Sequence, residues 1–430
     1  MRCTLPHLDD RQHIAVETDQ IEFPGFAPHI AGEYDETPRV QIFHRQLLGR
    51  STPLQAGISG HVSNIARAGR RHHRRYAAGS WQYGAMPAKV HHTSRGFRNN
   101  YVEAVAKSLG DFLRWQLNRV RNHLPPKPAM PTPQVAADLD FVRHNALAGL
   151  EMIPAVTWIG HATMLVQASG LNVLTDPVFS TRASPVQFAG PSRAQGPGIP
   201  LQSLPHIDVV VISHNHYDHL DRASVRTLAN QAGGAPLFLA PLGVKRWLER
   251  LGVARGVELD WWDGYVHAAA DGRPAEFQLT PAQHWSGRTL SDRNKTLWGG
   301  WAVLGADFHW YFAGDTGYSR DFADIRRRFA ARHTALQGGG FDIALIPVGA
   351  CLPRWFMKDQ HVDLEEAVQI HLDLGAKCSV GVHWGTFALA DDPLDLPLHE
   401  LAGARGAKGV SADSFFLMPV GGTRRLPRRL

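Results

Sequence analysis

The sequence predicts an α/β fold, an αββα sandwich in which two β-sheets pack face to face and helices cover their outer faces. Two observations carry that expectation. Short β-rich runs fall into two groups, each followed by a helical stretch. Chemistry-bearing residues then recur at the ends of those runs, where loops present side chains from a rigid scaffold. At 430 residues and 44 % hydrophobic content, the chain has the apolar share of a globular protein with a substantial core.

Taken in order, residues 1–90 have no sustained periodicity and many Gly, Pro, His and Arg, which predicts an irregular extension. The net charge of +6 resides here and just beyond. Residues 1–125 hold 17 Lys and Arg against 10 Asp and Glu, whereas the remainder has 28 against 29. Arg67, Arg70, Arg71, Arg74 and Arg75 cluster in a stretch with no acidic residue between Glu36 and Glu103. Such a segment favours an anionic membrane surface or nucleic acid, or is simply a solvated arm, and no catalytic role is assigned to it.

Residues 91–130 read as an amphipathic helix and a proline linker. From Tyr101 onward, Val105, Leu109, Phe112, Leu113, Leu117 and Val120 follow helical spacing, and LPPKPAMPTP ends the helix because proline lacks the backbone donor. The apolar face either packs on the following domain, the commoner arrangement, or lies on lipid, which Trp115 and the cationic flank would suit. No run approaches the roughly 18 apolar residues of a membrane span, and MRCTLPHLDD lacks the apolar stretch of a secretory signal. Membrane contact is therefore expected to be peripheral, and the location cytoplasmic or membrane-associated.

Residues 131–420 carry the strands: AVTWIG, TMLVQA, LNVLTD and DVVVISH, then EFQLTPAQH, WAVLG, HWYFAGD, DIALIPVG and SVGVHWG. Helices are expected around Ala223 to Leu228 and around Leu364 to Leu372. Residues 421–430 are left as a basic tail. Cys3, Cys351 and Cys378 are too few and too scattered for a disulfide framework or a thiolate cluster, and Cys351 and Cys378 are expected as small buried residues. A metal would be held by imidazole and carboxylate.

The sharpest signal is HNHYDH, residues 214–219, directly after the apolar run IDVVVIS. In an extended segment His214 and His216 project to one side, and the turn redirects Asp218 and His219. Three imidazoles and a carboxylate in six residues after a buried strand have no packing rationale. His284, Asp315 and His383 each close a later β-like run. The seven allow His214, His216 and His284 on one ion and Asp218, His219 and His383 on a second, with Asp315 bridging. Zn²⁺ suits that donor set, as do other first-row divalent ions.

HNHYDH followed by His, Asp and His in this order resembles the metallo-β-lactamase superfamily. The runs WIGHATMLV, LTDPVFSTRASP, ISHNHYDHLD, ELDWWD, PAQHWSGRTLSDRNKTLWGGW, YFAGDTGYS, PRWFMKDQHVDLEEAV and HWGTFALADDP resemble its N-acylphosphatidylethanolamine-hydrolysing phospholipase D family and bacterial relatives. The likeness extends from about Thr93 to Leu417. It departs at Cys351 and Leu352, where the family usually has Tyr and Glu, at Gly287, and at AARHTALQGGG, which reads as an insertion.

The resemblance implies a metallo-β-lactamase fold with two Zn²⁺ ions and phospholipase-D-type cleavage of an N-acylated phospholipid. Two ions sharing a water would lower its pKa from about 15.7 towards neutrality. Asp218 and Asp315 are then catalytic as well as ligating. Tyr217 and His361 match positions that meet substrate, and both are candidates to protonate the leaving alkoxide. Asp176 and His161 are expected to orient ligands, a buried structural histidine being the other reading of His161. Trp285 and Trp384 could line an acyl channel. A phospholipid substrate, peripheral membrane contact and no nucleic acid are the expected partnerships, with a homodimer left open. Two alternatives stay open: a hydrolase of another phosphodiester, a lactone or a β-lactam, since the fold does not fix the substrate, and a basic binding protein with a silent metal site.

Overall fold

Strand alternation decides which side chains meet across the molecule. The structure, a computed structural model, describes residues 89–102, 107–289 and 291–429, so Cys3, the Arg-rich run 67–75 and Val105 lie outside the described residues. Among the described residues the first elements are a short hairpin of β1 (His92–Thr93) and β2 (Gly96–Phe97), then α1 (Leu109–Arg121) and α2 (Leu139–Ala146). Helix α1 starts at a capping box between Ser108 and Asp111.

One seven-stranded sheet comprises β3 (Ala155–Gly160), β4 (Thr163–Ala168), β5 (Leu171–Thr175), β6 (Val209–Val211), β7 (Leu237–Pro241), β8 (Gly256–Leu259) and β16 (Thr423–Arg425), in the order β16-β3-β4-β5-β6-β7-β8. The second comprises β9 (Gly264–Ala268), β10 (Pro274–Thr280), β11 (Gly300–Leu304), β12 (His309–Phe312), β13 (Ile343–Pro347), β14 (Cys378–Val382) and β15 (Phe415–Phe416), in the order β15-β14-β13-β12-β11-β10-β9. Helices α3 (Arg222–Ala229), α4 (Lys245–Glu249), α5 (Asp321–Phe329), α6 (Arg354–Met357), α7 (Leu364–Leu374) and α8 (Leu396–Lys408) complete the chain.

The period of two is visible in the packing. Val156, Trp158, Met164, Val166, Val209 and Val211 join a core shared with Phe277, Leu279 and Trp301 of the second sheet. Their sequence neighbours Ile159, Leu165 and Val210, together with Leu174, belong to a separate core with Val142 of α2 and Val225 and Leu228 of α3. Both faces of these strands are buried, which is why β3 to β6 read as nearly unbroken apolar runs. On the far side of the second sheet, Phe322 and Ile325 of α5 and Val368 and Ile370 of α7 close the shared core. The expected sandwich of two sheets between helices is what the chain forms.

Strand direction then gathers the site. β5, β6 and β7 run parallel, and β12, β13 and β14 run parallel; β10 shares the direction of β12 because both are antiparallel to β11. The segments that follow β5, β6, β10, β12 and β14 therefore leave their sheets at matching edges.

Three expectations need correction. The residues set apart as a basic tail are built into the fold: β16 pairs with β3, and the Arg429 side chain, 5 % exposed, reaches Asp342 at 2.6 Å. A run of arginines in a strand lacks the apolar alternation that marks one. Cys351 is buried, but Cys378 is only half-buried. Helix α1 begins at Leu109, and its stripe is not covered: Leu109 is 75 % exposed, Leu117 70 % and Val120 74 %, while Trp115 is its one buried residue. Trp115 stacks on Phe356 at 4.7 Å and donates to Asp391 at 2.9 Å, which anchors the helix by its opposite side.

Candidate metal centre

The seven sequence-predicted positions converge. The nitrogens of His214, His216 and His284 form one cluster, with His214 Nε2 2.8 Å and His284 Nε2 3.3 Å from His216 Nδ1. Asp218, His219 and His383 form another, in which Asp218 Oδ2 lies 3.2 Å from His219 Nε2 and 3.3 Å from His383 Nε2. Asp315 stands between them. Its Oδ2 is 3.8 Å from His214 Nε2, 3.8 Å from His284 Nε2 and 3.1 Å from His219 Nε2, and its Oδ1 is 3.2 Å from His383 Nε2.

Three of the rings, those of His214, His219 and His284, are held by the outward nitrogen. Asp176, fully buried after β5, accepts from His219 Nδ1 at 2.7 Å, from Ser213 Oγ at 2.5 Å and from Ser213 N at 2.7 Å. Ser213 Oγ, having donated to Asp176, accepts from His214 Nδ1 at 2.9 Å. His284 Nδ1 donates to the Gln360 carbonyl at 2.9 Å. These bonds fix tautomers that turn the lone pairs of three Nε2 atoms inward. The fit to cations follows from the inward atoms that remain: His219 Nε2 and Asp315 Oδ1, with His361 Nδ1 at the rim, are buried without a hydrogen-bond partner. Unsatisfied donors and acceptors of this number are costly in a native interior unless an ion or water engages them.

The electrostatics agree. Burial, then the crowding of neighbouring imidazoles, holds His214 well below its ordinary value, and burial takes His284 down to about 3 and His216 to about 4. At His383 burial opposes the charge, but Asp315 and Asp218 outweigh it and raise the ring to about 9. His219 is raised for the same reason. Asp218 and Asp315 stay ionised, burial being overcome chiefly by His219. A pocket in which two carboxylates draw protons onto imidazoles also attracts cations, and the two compete for the same atoms.

Backbone strain marks the same edge. Asp176 at φ 31°, His161 at φ 54° and His383 at φ 63° adopt left-handed conformations that non-glycine residues rarely hold. His161 Nε2 lies 3.0 Å from Asp218 Oδ2, so this histidine joins the second cluster and braces its carboxylate. His361, in the loop between α6 and α7, sits at the rim with Nδ1 4.0 Å from Asp315 Oδ2, and burial lowers it to about 3.

Other expectations land elsewhere. Tyr217 donates its hydroxyl to the Arg288 carbonyl at 3.0 Å, and the Arg288 guanidinium lies 3.9 Å over its ring. Trp384 is core, stacked on Trp158 at 5.0 Å. Trp285 packs its edge on His216 at 4.2 Å, beside the centre. Sequence reading missed Ser213, Asn99 and Arg288; Arg288 Nη1 donates to the carbonyls of Asn215 and Leu220, bracketing the His-rich turn. Ser213 adjoins the motif and was open to inspection, whereas Asn99 lies 185 residues from the His284 it contacts and carried no local signal.

Residues 171–384 match the family model described as the Beta-lactamase superfamily domain. With the paired His/Asp clusters at the sheet edge, the chain is a metal-dependent hydrolase of the metallo-β-lactamase superfamily. It is 39 % identical over 302 residues to the N-acyl-phosphatidylethanolamine-hydrolyzing phospholipase D 1 of Caenorhabditis elegans, spanning 68 % of this chain and 79 % of that one. An uncharacterised protein of Mycobacterium bovis is 42 % identical over 69 % of this chain and 74 % of its own. The mitochondrial N-acyl-phosphatidylethanolamine-hydrolyzing phospholipase D of Saccharomyces cerevisiae is 35 % identical over 55 % of this chain and 48 % of its own. The chain belongs to the N-acylphosphatidylethanolamine-hydrolysing phospholipase D-like family.

Proposed function

We propose that the protein hydrolyses the phosphodiester of N-acylated phosphatidylethanolamines, releasing an N-acylethanolamine and phosphatidic acid, at a centre holding two Zn²⁺ ions. The observation that carries this reading is a complete His/Asp centre in a chain 39 % identical to a relative named for that reaction. His214, His216 and His284 would hold one ion and Asp218, His219 and His383 the other, with Asp315 reaching both. Bound ions would supply a Lewis acid for a phosphoryl oxygen and ionised water as nucleophile.

The chain's own residues orient the reaction. Asp176 keeps the His219 proton on Nδ1, and Asp315 sits where it can align the attacking oxygen. Burial lowers His361 to about 3, so it has no imidazolium proton to give; its unpartnered Nδ1 is available to hydrogen-bond the departing alkoxide oxygen, whose proton comes from water. Tyr217 has given its hydrogen to Arg288, so it is assigned to lining the substrate path and not to protonation.

A bilayer substrate needs a way to the site, and the exposed stripe of α1 supplies one. Leu109, Leu113, Leu117 and Val120 face solvent, flanked by Arg114 and Arg121. Half-exposed Trp355 adjoins the stripe, with Arg114 5.1 Å over its ring. An apolar stripe rimmed by cations suits a phospholipid interface. Among the described residues no helix is long and apolar enough to cross a membrane.

The test is turnover of N-acylphosphatidylethanolamine vesicles by the full chain, alongside a soluble phosphodiester, a lactone and a β-lactam. Release of N-acylethanolamine, abolished in His216→Ala, is expected. Turnover of lactone or lactam without lipid would overturn the reading.

A further inference from the structure

The segment 89–100 is a strap pinned at both ends. At one end Asp260 accepts from Lys89 Nζ at 2.6 Å, His91 Nε2 at 2.7 Å and His92 Nε2 at 2.7 Å. Although His91, His92 and Asp260 are of metal-binding type, the Lys89 ammonium occupies the same carboxylate, and these contacts are hydrogen bonds. In the middle, Phe97 N donates to Asn294 O at 2.9 Å, and Gly96, at φ 140°, lies so close that a Cβ would fall 2.0 Å from Asn294 O. At the far end Asn100 donates to Asp321 at 2.8 Å.

Between these anchors the strap presents one buried amide to one residue of the centre. Asn99 Oδ1 accepts from His284 N at 3.0 Å, and Asn99 Nδ2 donates to His284 O at 3.0 Å. The orientation of the amide is fixed independently, because Trp298 Nε1, 3.1 Å from the same Oδ1, is a donor only. His284 lies four residues beyond the end of β10, where no strand partner satisfies its backbone, and the amide of Asn99 stands in for one. Since the ring is already held by the Gln360 carbonyl, Asn99 supplies what remains, the position of the main chain.

We infer that Asn99 is a positioning residue for the His214/His216/His284 cation: by clamping the main chain of His284 it sets where the third imidazole of that cluster stands. The inference rests on the two-metal reading above. Loss of an outer group that orients a ligand weakens metal binding by about 10–100-fold, and here the loss falls on one cation and not on its neighbour.

The experiment is titration of Co²⁺ into the metal-stripped full chain, followed by visible absorption, for the wild type, Asn99→Ala, Asn99→Asp and His92→Ala. Wild type should take up two ions in resolvable steps; failure to do so sinks the two-metal reading itself. Asn99→Ala should weaken one step by about 10–100-fold and leave the other unchanged. Asn99→Asp, which keeps the acceptor for His284 N, should bind that ion more tightly than Asn99→Ala. His92→Ala loosens the exposed end of the strap and should lower Tm without shifting either step. With a two-step wild type, equal weakening of both steps, or none, in both Asn99 variants overturns the inference.

Discussion

Replacing Leu109, Leu113 and Leu117 together by Gln separates membrane docking from folding. The three side chains are 75 %, 57 % and 70 % exposed, so about two-thirds of each remains to be buried by a partner. Full burial of a leucine contributes about 2 kcal/mol, which leaves roughly 1.3 kcal/mol per residue and about 4 kcal/mol for the three, close to a thousandfold in binding. The fold should hardly notice. Gln is close to Leu in helix propensity, the capping box at Ser108 is untouched, and α1 is held by Trp115 on Phe356 and Asp391. Sedimentation with vesicles of anionic phospholipid reads the first effect and thermal unfolding the second. Salt should weaken wild-type binding, because Arg114 and Arg121 would meet phosphate at the interface. Vesicle binding unchanged in the triple variant, or a fall in Tm as large as the loss of binding, would refute the assignment of this face to lipid.

Two further outcomes follow from the centre and the strap. Asp176→Asn keeps the shape and tolerates φ 31°, but presents an amide hydrogen either to Ser213 N–H or to His219 Nδ1–H and Ser213 Oγ–H together. Metal affinity measured by chelator competition should fall about 10–100-fold, and wild-type affinity would contradict the proposed orientation of His219. Burial pushes Asp260 up, but hydrogen bonds from His91, Lys89 and His92 outweigh it and hold the carboxyl well below the usual range. A depressed folded value stabilises at pH above the unfolded value of about 3.9 and is lost as pH falls through the folded one. The Tm gap between wild type and Asp260→Asn should therefore be full at neutral pH and narrow below about pH 4; a gap that widens in acid would count against the strap's anchor.

Much of the fold was legible because the signals are local. The runs that became β3 to β6 and β10 to β14 announce themselves by β-branched and aromatic residues between turn residues. Edge strands were not legible: β9 alternates exposed and half-buried positions, and β16 is Thr-Arg-Arg, so neither has the apolar content that marks a strand. For α1 the spacing identified the helix, but spacing is the same whether the stripe is packed or bare. Only the anchoring of Trp115 on the opposite side decided that.

The sequence alone determined which residues are candidates for the centre. HNHYDH, His284, Asp315 and His383 are chemically distinctive and sit at the ends of recognisable strands, so the donor set could be read from one dimension. The tertiary structure decided which atom of each faces inward and what holds it there. Asp176 on His219, Asn99 on the His284 backbone, His161 on Asp218 and the commitment of the Tyr217 hydroxyl to Arg288 are contacts between segments 43 to 185 residues apart, or 71 in the last case. A hydrogen bond depends on distance and angle in space, and neither is encoded in the identity of a residue or of its neighbours in the chain.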